Sequence, residues 1–175
     1  MLGGVMRSLV VCVGLTLSLL AVPAAAHAQK LVYVVRHAER ADGGAGTSSM
    51  SGAPADPSLS SAGEARAAKL AAMLADAGIT AIYATEFKRT QETAKPLATK
   101  VQVAVSTVAA SQTAALVADL KSKHANDVVL VVGHSNTMPA VIKALGGPDV
   151  IVGDNDYDGL FVFVPASGTV SKIKF

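Results

Sequence analysis

The chain has 175 residues, with 15 Lys and Arg against 13 Asp and Glu, a formal net charge of +2 and a single Cys. This length suits one domain with a core of its own, and the 51% of apolar residues excludes a disordered chain. The small net charge does not favour nucleic-acid binding, which usually requires clustered Lys and Arg.

The N-terminal segment, residues 1–28, has the composition of a secretory signal peptide. Arg7 is followed by an apolar run over residues 8–22 and then by an A-x-A cleavage site at residues 26–28. The run is shorter than the roughly 20 apolar residues of a membrane-spanning helix. We therefore expect cleavage after Ala28, export to the periplasm or the extracellular space, and no stable membrane insertion of the mature chain.

The expected mature domain, residues 29–175, contains no Cys, because Cys12 lies in the apolar run. Disulfides and thiol chemistry are therefore excluded for this domain. Its sequence shows no linker or internal repeat that would indicate a second domain. Nothing in the sequence defines an oligomeric state.

Runs rich in β-branched residues alternate with helical segments along this domain. The predicted strands are Leu31–Val35, Ile79–Tyr83, Val101–Val105, Val128–Val132 and Leu160–Val164. The predicted helices cover about residues 61–77, 87–100, 112–123 and 137–145. The first is expected to begin with a capping box at Ser61–Glu64 and to end at Gly78, and the second to bend or restart at Pro96.

This alternation predicts an α/β three-layer sandwich in which helices flank a mostly parallel central sheet. Two of the strands are apolar at nearly every position, which is typical of strands covered on both faces. Thr169–Phe175 follows the last strand across a PASG turn and is predicted to form an antiparallel edge hairpin with it. The long loop Ala38–Ser58 is rich in Gly, Ser, Ala and Pro, and we expect it to be mobile or functional.

Two of the four His directly follow predicted strands. Arg36 and His37 follow LVYVV, and Gly133 and His134 follow VVLVV. Ligands of open α/β sheets bind at the carboxyl ends of the strands, so the two imidazoles could converge there. The alternative is a pair of hydrogen-bonded His that only cap strand ends. His124 lies in a polar helix end and is expected to be a solvated surface residue.

Basic residues surround these two His. Arg36 directly precedes His37, Arg40 lies three residues after it, and Lys88 and Arg89 begin a predicted helix. Arg presents a planar fork suited to phosphate oxygens, and the N–H groups at a helix start favour an anion. The cluster predicts a phosphate or oxyanion pocket, although Arg89 alone would also fit a surface charge. Because adjacent Arg residues repel cations, we expect no metal, and no other cofactor is expected.

Four segments resemble, in chain order, motifs of the histidine phosphatase superfamily, which has the phosphoglycerate-mutase-like fold. They are RHAER at 36–40, LSSAGEARAAKLA at 59–71, YATEFKRTQETAKPLA at 83–98 and VVGHSN at 131–136. The resemblance extends over nearly the whole mature domain. It implies that His37 is a nucleophile that takes the phosphoryl group on Nε2. It also implies that Arg36, Arg89 and His134 clamp the phosphate, with Arg40 as a further candidate ligand.

The sequence departs from the family pattern at three places. Ala38 stands where Gly is common, and Thr85 replaces an expected Ser but keeps a hydroxyl. Larger members place an acid, usually Glu, after the third strand to protonate the leaving group. The corresponding stretch here, Val103–Thr113, contains no carboxylate.

General acid catalysis typically contributes about 10²- to 10⁴-fold, so the missing acid requires an explanation. One explanation is a substitute carboxylate, with Glu39, Asp42 and Asp154 as candidates. Glu39 is the first choice because it lies two residues from His37. The other explanation is a leaving group that needs little protonation, such as that of a phosphoanhydride or a phosphoramidate.

The expected function is metal-independent hydrolysis of phosphomonoesters through a phosphohistidine intermediate. The segment between Val105 and Val128 has room for one helix but not for the insertion that covers the site of larger members. An open site fits a mutase less well, because a mutase must protect its intermediate from water. The expected export favours envelope or extracellular substrates, either small phosphorylated molecules or phosphorylated sugars of surface glycolipids.

Two alternatives remain open at this point. The acidic segment DNDYD at 154–158 either lines the pocket and accepts hydrogen bonds from substrate hydroxyls or forms an acidic surface turn. The domain as a whole could be a non-catalytic phosphate-binding domain of the same fold, which the missing acid favours.

Overall fold

The computed structural model describes residues 30–43 and 56–175. The predicted signal peptide and the central part of the predicted 38–58 loop lie outside the described residues. The strands are β1 (Leu31–Arg36), β2 (Ala81–Ala84), β3 (Val105–Thr107), β4 (Val128–Gly133), β5 (Gly159–Val164) and β6 (Thr169–Lys174). The helices are α1 (Ser61–Leu74), α2 (Lys88–Val101), α3 (Thr113–Lys123) and α4 (Thr137–Ala144).

The strands form one sheet in the order β3-β2-β4-β1-β5-β6. The pairs β2–β3, β2–β4 and β1–β4 are parallel, whereas β5 runs antiparallel to both β1 and β6. The predicted mostly parallel sheet with an antiparallel edge hairpin is therefore confirmed. The central strand β4 is buried at all six positions, as expected for a strand covered on both faces.

Helices cover both faces of the sheet. Successive side chains of a strand point to opposite faces, so Val34 packs in one apolar cluster and Val35 in the other. The first cluster includes Leu120 of α3, and the second includes Leu70 of α1. These two clusters confirm the three-layer sandwich. Among the helices of the described part of the chain, none is both long and apolar enough to cross a bilayer.

The third strand begins later than predicted, and α2 ends later. Val101 completes the last turn of α2, where it packs in the same apolar cluster as Leu97, one turn earlier. Gln102 then adopts a left-handed conformation with φ 57°, and its N–H donates to Ala98 O. The segment VQVAV, predicted as one strand, therefore contains the last residue of α2, Val101, and the first residue of β3, Val105. Of the predicted bend or restart at Pro96, the restart is excluded, because α2 is one helix through that residue.

The N-cap of α1 is Ser60 and not the predicted Ser61. The Ser60 hydroxyl accepts a hydrogen bond from the Gly63 N–H at 3.2 Å. The Ser60 N–H in turn donates to Glu39 O at 2.9 Å. A Cβ atom at Gly63 would overlap the same Glu39 carbonyl oxygen. The start of α1 is therefore packed directly against the backbone that follows β1.

His124 was predicted to be a solvated surface residue, and this prediction was wrong. Its side chain is only 17% exposed, because α3 ends against the sheet. Nε2 of His124 lies 2.8 Å from the Tyr83 hydroxyl, and Nδ1 lies 2.7 Å from Asp127 Oδ2. These contacts join the α3–β4 turn to β2 at the end of the sheet opposite to the strand ends that carry His37 and His134.

The contact at Gly63 predicts the effect of one added methyl group. We expect Gly63→Ala to lower the free energy of unfolding by about 1–3 kcal/mol, because the clashing atom belongs to the backbone and cannot rotate away. Urea denaturation measures this change. Ala62→Ser, at an exposed position in the same turn, is the control and should remain within about 0.5 kcal/mol of wild type. Equal stability of the Gly63 variant and the wild type would contradict the close packing.

Candidate active site

The two His that follow strands lie side by side. β1 and β4 are parallel neighbours in a register that pairs Arg36 with Gly133. The His37 N–H donates to Gly133 O at 2.9 Å, and the ring centroids of His37 and His134 are 5.3 Å apart. The predicted convergence of the two imidazoles at the carboxyl edge of the sheet is therefore confirmed.

The ring of His37 is held by one backbone acceptor. Nδ1 lies 2.8 Å from the carbonyl oxygen of Ala38, so the proton of the neutral ring is placed on Nδ1 and the lone pair on Nε2. The Ala38 N–H donates to Thr93 Oγ1 at 2.9 Å, and this hydroxyl donates to Arg89 O at 2.6 Å. Through these contacts, α2 fixes the peptide that orients the ring of His37.

His134 is held by hydroxyl groups. Its Nε2 lies 2.9 Å from Thr85 Oγ1, which lies 2.8 Å from Thr90 Oγ1. Thr85 follows β2, the strand on the other side of β4, so three adjacent strands contribute to the site. The hydroxyl that Thr85 shares with the expected Ser therefore contacts a ring nitrogen of the site.

Both imidazoles are neutral at physiological pH. Burial, reinforced by Arg89 and Arg36, lowers the pKa of His134 to about 4, and the charge of Glu86 opposes this shift. Burial likewise lowers the pKa of His37 to about 3, with contributions from His134, Arg36 and Arg89, although the Ala38 hydrogen bond opposes the shift. A neutral His37 carries the unprotonated Nε2 that a nucleophile requires.

Arg36 is oriented by the loop between α4 and β5. Its guanidinium stacks 4.2 Å from the ring centroid of Tyr157. Nη1 donates to the backbone carbonyl oxygens of Gly153, at 3.1 Å, and Asp154, and Nη2 lies 3.5 Å from the Tyr157 hydroxyl. These contacts hold one edge of the guanidinium and leave Nε buried without a hydrogen bond in the described part of the chain.

Arg89 is oriented in a similar way by Phe87, which lies two residues earlier in the chain. Its guanidinium stacks 4.2 Å from the ring centroid of Phe87, and the same ring lies edge-on to His134 with centroids 5.3 Å apart. Nη1 lies 3.7 Å from Asp56 Oδ1, beyond hydrogen-bond distance. Burial, together with the charge of Arg40, lowers the pKa of Arg89.

Several guanidinium N–H groups at this site are buried without an acceptor. Within residues 30–43 and 56–175, Nε of Arg36, Nε of Arg40, and both Nε and Nη1 of Arg89 form no hydrogen bond. Arg40 also pairs with Asp42. Buried polar groups are normally hydrogen-bonded, so orphaned donors on three Arg side chains indicate a place for an anion. The predicted phosphate pocket of Arg36, Arg40 and Arg89 is thus consistent with the geometry.

The site opens into a cleft with a volume of about 520 Å³. This volume lies within the range of small-molecule sites, about 300–1,000 Å³. The cleft is open because the connection from β3 to α3 is only a short loop. Its lining residues are His37, Phe87, Arg89, Ala110, Ser111, His134, Ser135 and Asn136.

The structure argues against Glu39 as the substitute proton donor. Arg66 Nε donates to both carboxylate oxygens of Glu39, at 2.8 and 2.9 Å, and Arg66 Nη2 donates to Oε1 at 2.6 Å. Partial burial is the largest single effect and raises the pKa of Glu39, but the Arg66 hydrogen bonds, a backbone hydrogen bond and the charge of Arg66 together lower it. A carboxylate held ionised by Arg66 is a poor acid, and Glu39 does not line the cleft.

The DNDYD segment contacts the site mainly through its backbone and Tyr157. Asp156 pairs with Lys172, and Asp158 pairs with Lys174, so these two carboxylates contact the edge hairpin and do not line the cleft. Asp154 accepts a hydrogen bond from Ser135 Oγ at 2.9 Å, on the cleft wall. Of the two alternatives for this segment, Asp156 and Asp158 therefore fit the acidic surface turn, and Asp154 is the carboxylate at the cleft wall.

Sequence reasoning missed several residues that shape the site. Phe87 supports both Arg89 and His134, and Thr93 fixes the Ala38 peptide. Glu86 was also passed over, although its carboxylate accepts a hydrogen bond from the Ala110 N–H in the cleft wall. The one sequence signal was that all three belong to the YATEFKRTQETAKPLA segment, between residues already assigned to the site.

Taken together, a neutral His with a free Nε2 beside orphaned guanidinium donors defines a site for phosphoryl transfer. The family model of the histidine phosphatase superfamily, branch 1, matches residues 32–112. Among proteins of curated function, none matches the chain in sequence. The match over residues 32–112 and the shared fold agree, and the chain is similar to the histidine phosphatase superfamily in both respects.

Solved structures share the fold of the whole domain. Phosphoserine phosphatase from Entamoeba histolytica, in complex with 3-phosphoglyceric acid, is 16% identical with a TM-score of 0.60, over 83% of this chain and 95% of that chain. Mycobacterial glucosyl-3-phosphoglycerate phosphatase is 14% identical with a TM-score of 0.58, over 83% and 98%. A protein assigned as the phosphohistidine phosphatase SixA from Agrobacterium tumefaciens is 24% identical with a TM-score of 0.58, over 78% and 92%.

The neutral state of the two buried His predicts a pH dependence of stability. Their pKa values are about 3 and 4 in the folded chain, against about 6.5 in the unfolded chain, so the unfolded chain binds more protons between these limits. The free energy of unfolding should therefore be greatest above about pH 7 and decrease as the pH falls from about 6.5 towards 4. Urea denaturation between about pH 7.5 and 5 measures this change.

Variants separate the two contributions. His37→Asn and His134→Asn each remove one titrating group, so each should reduce the loss of stability on acidification. The denaturant m-value should stay constant, which shows that the same unfolding transition is compared. A free energy of unfolding that did not change over this pH range would contradict the burial of two neutral imidazoles.

Proposed function

We propose that the protein is a metal-independent phosphatase that hydrolyses phosphomonoesters through a phosphohistidine at His37. The observation that carries the proposal is the free Nε2 of a neutral His37 beside buried guanidinium N–H groups of Arg36 and Arg89. These groups form no hydrogen bond among the described residues. A phosphate monoester supplies both the electrophile for Nε2 and the missing acceptors.

In this mechanism, the Arg side chains position the phosphoryl group and neutralise its charge. Nε2 of His37 attacks phosphorus, while Arg36, Arg89 and His134 bind the non-bridging oxygens of the phosphoryl group that is transferred. Arg40 adds a positive charge next to Arg89. Water then attacks the phosphohistidine and releases phosphate. Positioning and electrostatic stabilisation are the main contributions that a protein makes to phosphoryl transfer.

The cleft beyond the phosphate position favours a neutral, hydroxylated leaving group. Ser111, Ser135 and Asn136 line it with uncharged hydrogen-bonding groups, and the open entrance accepts a leaving group larger than the cleft itself. We propose envelope or extracellular phosphate esters as substrates, including phosphorylated sugars of surface glycolipids. One structural neighbour, a glucosyl-3-phosphoglycerate phosphatase, is named for a sugar-containing phosphate ester.

Turnover of p-nitrophenyl phosphate in EDTA tests the proposed activity. We expect hydrolysis by wild type, a phosphoryl adduct on the intact protein after an alkaline quench, and loss of both in His37→Ala. His124→Ala is the matched control, because this His lies at the opposite end of the sheet, and it should retain turnover and the adduct. Absence of turnover by wild type, with phosphate bound equally by wild type and His37→Ala, would support a non-catalytic phosphate-binding domain.

Export is a separate proposal that rests on the composition of residues 1–28. We expect the mature protein to be recovered outside the cytoplasm and to begin at Gln29 or within about two residues of it. Cell fractionation followed by N-terminal sequencing measures both. A cytoplasmic protein that retained Met1 would contradict the proposal and would redirect the search for substrates to cytosolic phosphate compounds.

A further inference from the structure

Glu86 does not line the cleft itself, but its chain neighbour Phe87 and its hydrogen-bond partner Ala110 do. It follows Thr85 and precedes Phe87, in the connection from β2 to α2. Its Oε2 accepts a hydrogen bond from the Ala110 N–H at 2.8 Å. Phe87 and Ala110 both line the cleft that contains Nε2 of His37. The carboxyl group therefore spans two loops and lies against the backbone of the Val103–Thr113 stretch, which has no carboxylate of its own.

The other oxygen of Glu86 is available for proton transfer. Oε1 forms no hydrogen bond, and the side chain forms no ion pair, among the residues that the structure describes. Glu39 and Asp42, by contrast, are paired with Arg66 and Arg40. An ion pair with Arg stabilises the ionised carboxylate and disfavours the protonated form, which is the form that can donate a proton. Glu86 has no hydrogen-bonded Arg partner among the described residues, and its exposed side chain lies next to the cleft.

Glu86 also lies within electrostatic range of the proposed phosphate clamp. Burial and Arg89 lower the pKa of His134, and the charge of Glu86 opposes that shift. The same carboxylate acts on Arg89, where burial and Arg40 lower the pKa and Glu86 is among the acidic groups that raise it. A carboxylate that influences both His134 and Arg89 is close to the phosphoryl group that these side chains would hold.

We infer that Glu86 is the catalytic acid that protonates the leaving group, and this inference rests on the proposed function. As Nε2 of His37 forms the N–P bond, the P–O bond to the leaving group breaks. The electron pair of that bond remains on the leaving oxygen, which takes the proton from the Glu86 carboxyl group and departs as an alcohol.

The second half of the reaction returns Glu86 to its starting state. The Glu86 carboxylate accepts a proton from water as the water oxygen forms a bond to phosphorus. The N–P bond breaks, and its electron pair returns to Nε2 of His37. The products are hydrogen phosphate, a neutral His37 and a protonated Glu86, so one water molecule is consumed for each ester.

The test compares two esters of similar size with different leaving groups. Benzyl phosphate releases a strongly basic alkoxide unless it is protonated, whereas p-nitrophenyl phosphate releases a weakly basic phenolate that needs little help. Glu86→Gln keeps an oxygen that can accept the Ala110 hydrogen bond but cannot donate the acid proton. We expect kcat/KM to fall by about 10²-fold or more for benzyl phosphate and by less than about 10-fold for p-nitrophenyl phosphate. Glu64→Gln, an exposed Glu on α1, is the matched control and should leave both values unchanged.

Each other outcome overturns one specific claim. An equal loss on both esters would show that Glu86 only supports the loop, and no loss would show that it has no role. A selective loss in Asp154→Asn, with none in Glu86→Gln, would assign the proton to the carboxylate beside Ser135. If wild type hydrolyses p-nitrophenyl phosphate but not benzyl phosphate, the inference that Glu86 is an acid is overturned, whereas the proposed phosphatase function is not. Wild type that hydrolyses neither ester would overturn the proposed function itself.

Discussion

The parallel pairing of β1 with β4 is the constraint on which the site depends. This register places Arg36 opposite Gly133, and the ladder continues one step further through the hydrogen bond from the His37 N–H to Gly133 O. A slip of one residue would turn every side chain of β1 to the other face of the sheet. Both strands are apolar at nearly every position, and helices cover both faces of the sheet, so such a slip is costly and the core fixes the relative position of the two imidazoles.

The site combines positive charge with neutral rings. Three guanidinium groups lie near two His that burial keeps unprotonated, so the positive charge is carried by Arg side chains, which do not titrate in the physiological range. The planar groups are held by aromatic faces, with Arg36 on Tyr157 and Arg89 on Phe87. Stacking restrains a guanidinium without using its N–H groups, so Nε of Arg36, and Nε and Nη1 of Arg89, have no acceptor among the described residues and could bind an anion.

Most of the fold and the centre of the site could be predicted because they depend on local pattern. Apolar runs ending in Arg36, His37 and His134 identify the strands and the edge at which they meet. The third strand was placed too early because Val101 fits a strand and a helix end equally well, and only packing against the sheet decides between them. Contacts between distant segments leave no such pattern. The pairing of Glu39 with Arg66, 27 residues later, is one example.

The way in which Arg36 is anchored has a consequence for the diversification of this domain. Its acceptors in the α4–β5 loop are the carbonyl oxygens of residues 153 and 154, which every amino acid supplies. Side chains of that loop can therefore be exchanged without removing these acceptors, provided the backbone keeps its path. Of these side chains, Asp154 contacts the cleft wall through Ser135, so the sequence of the loop is to this extent uncoupled from the position of the Arg36 guanidinium. The loop could therefore change its side chains in a lineage while these two carbonyl groups continue to hold Arg36.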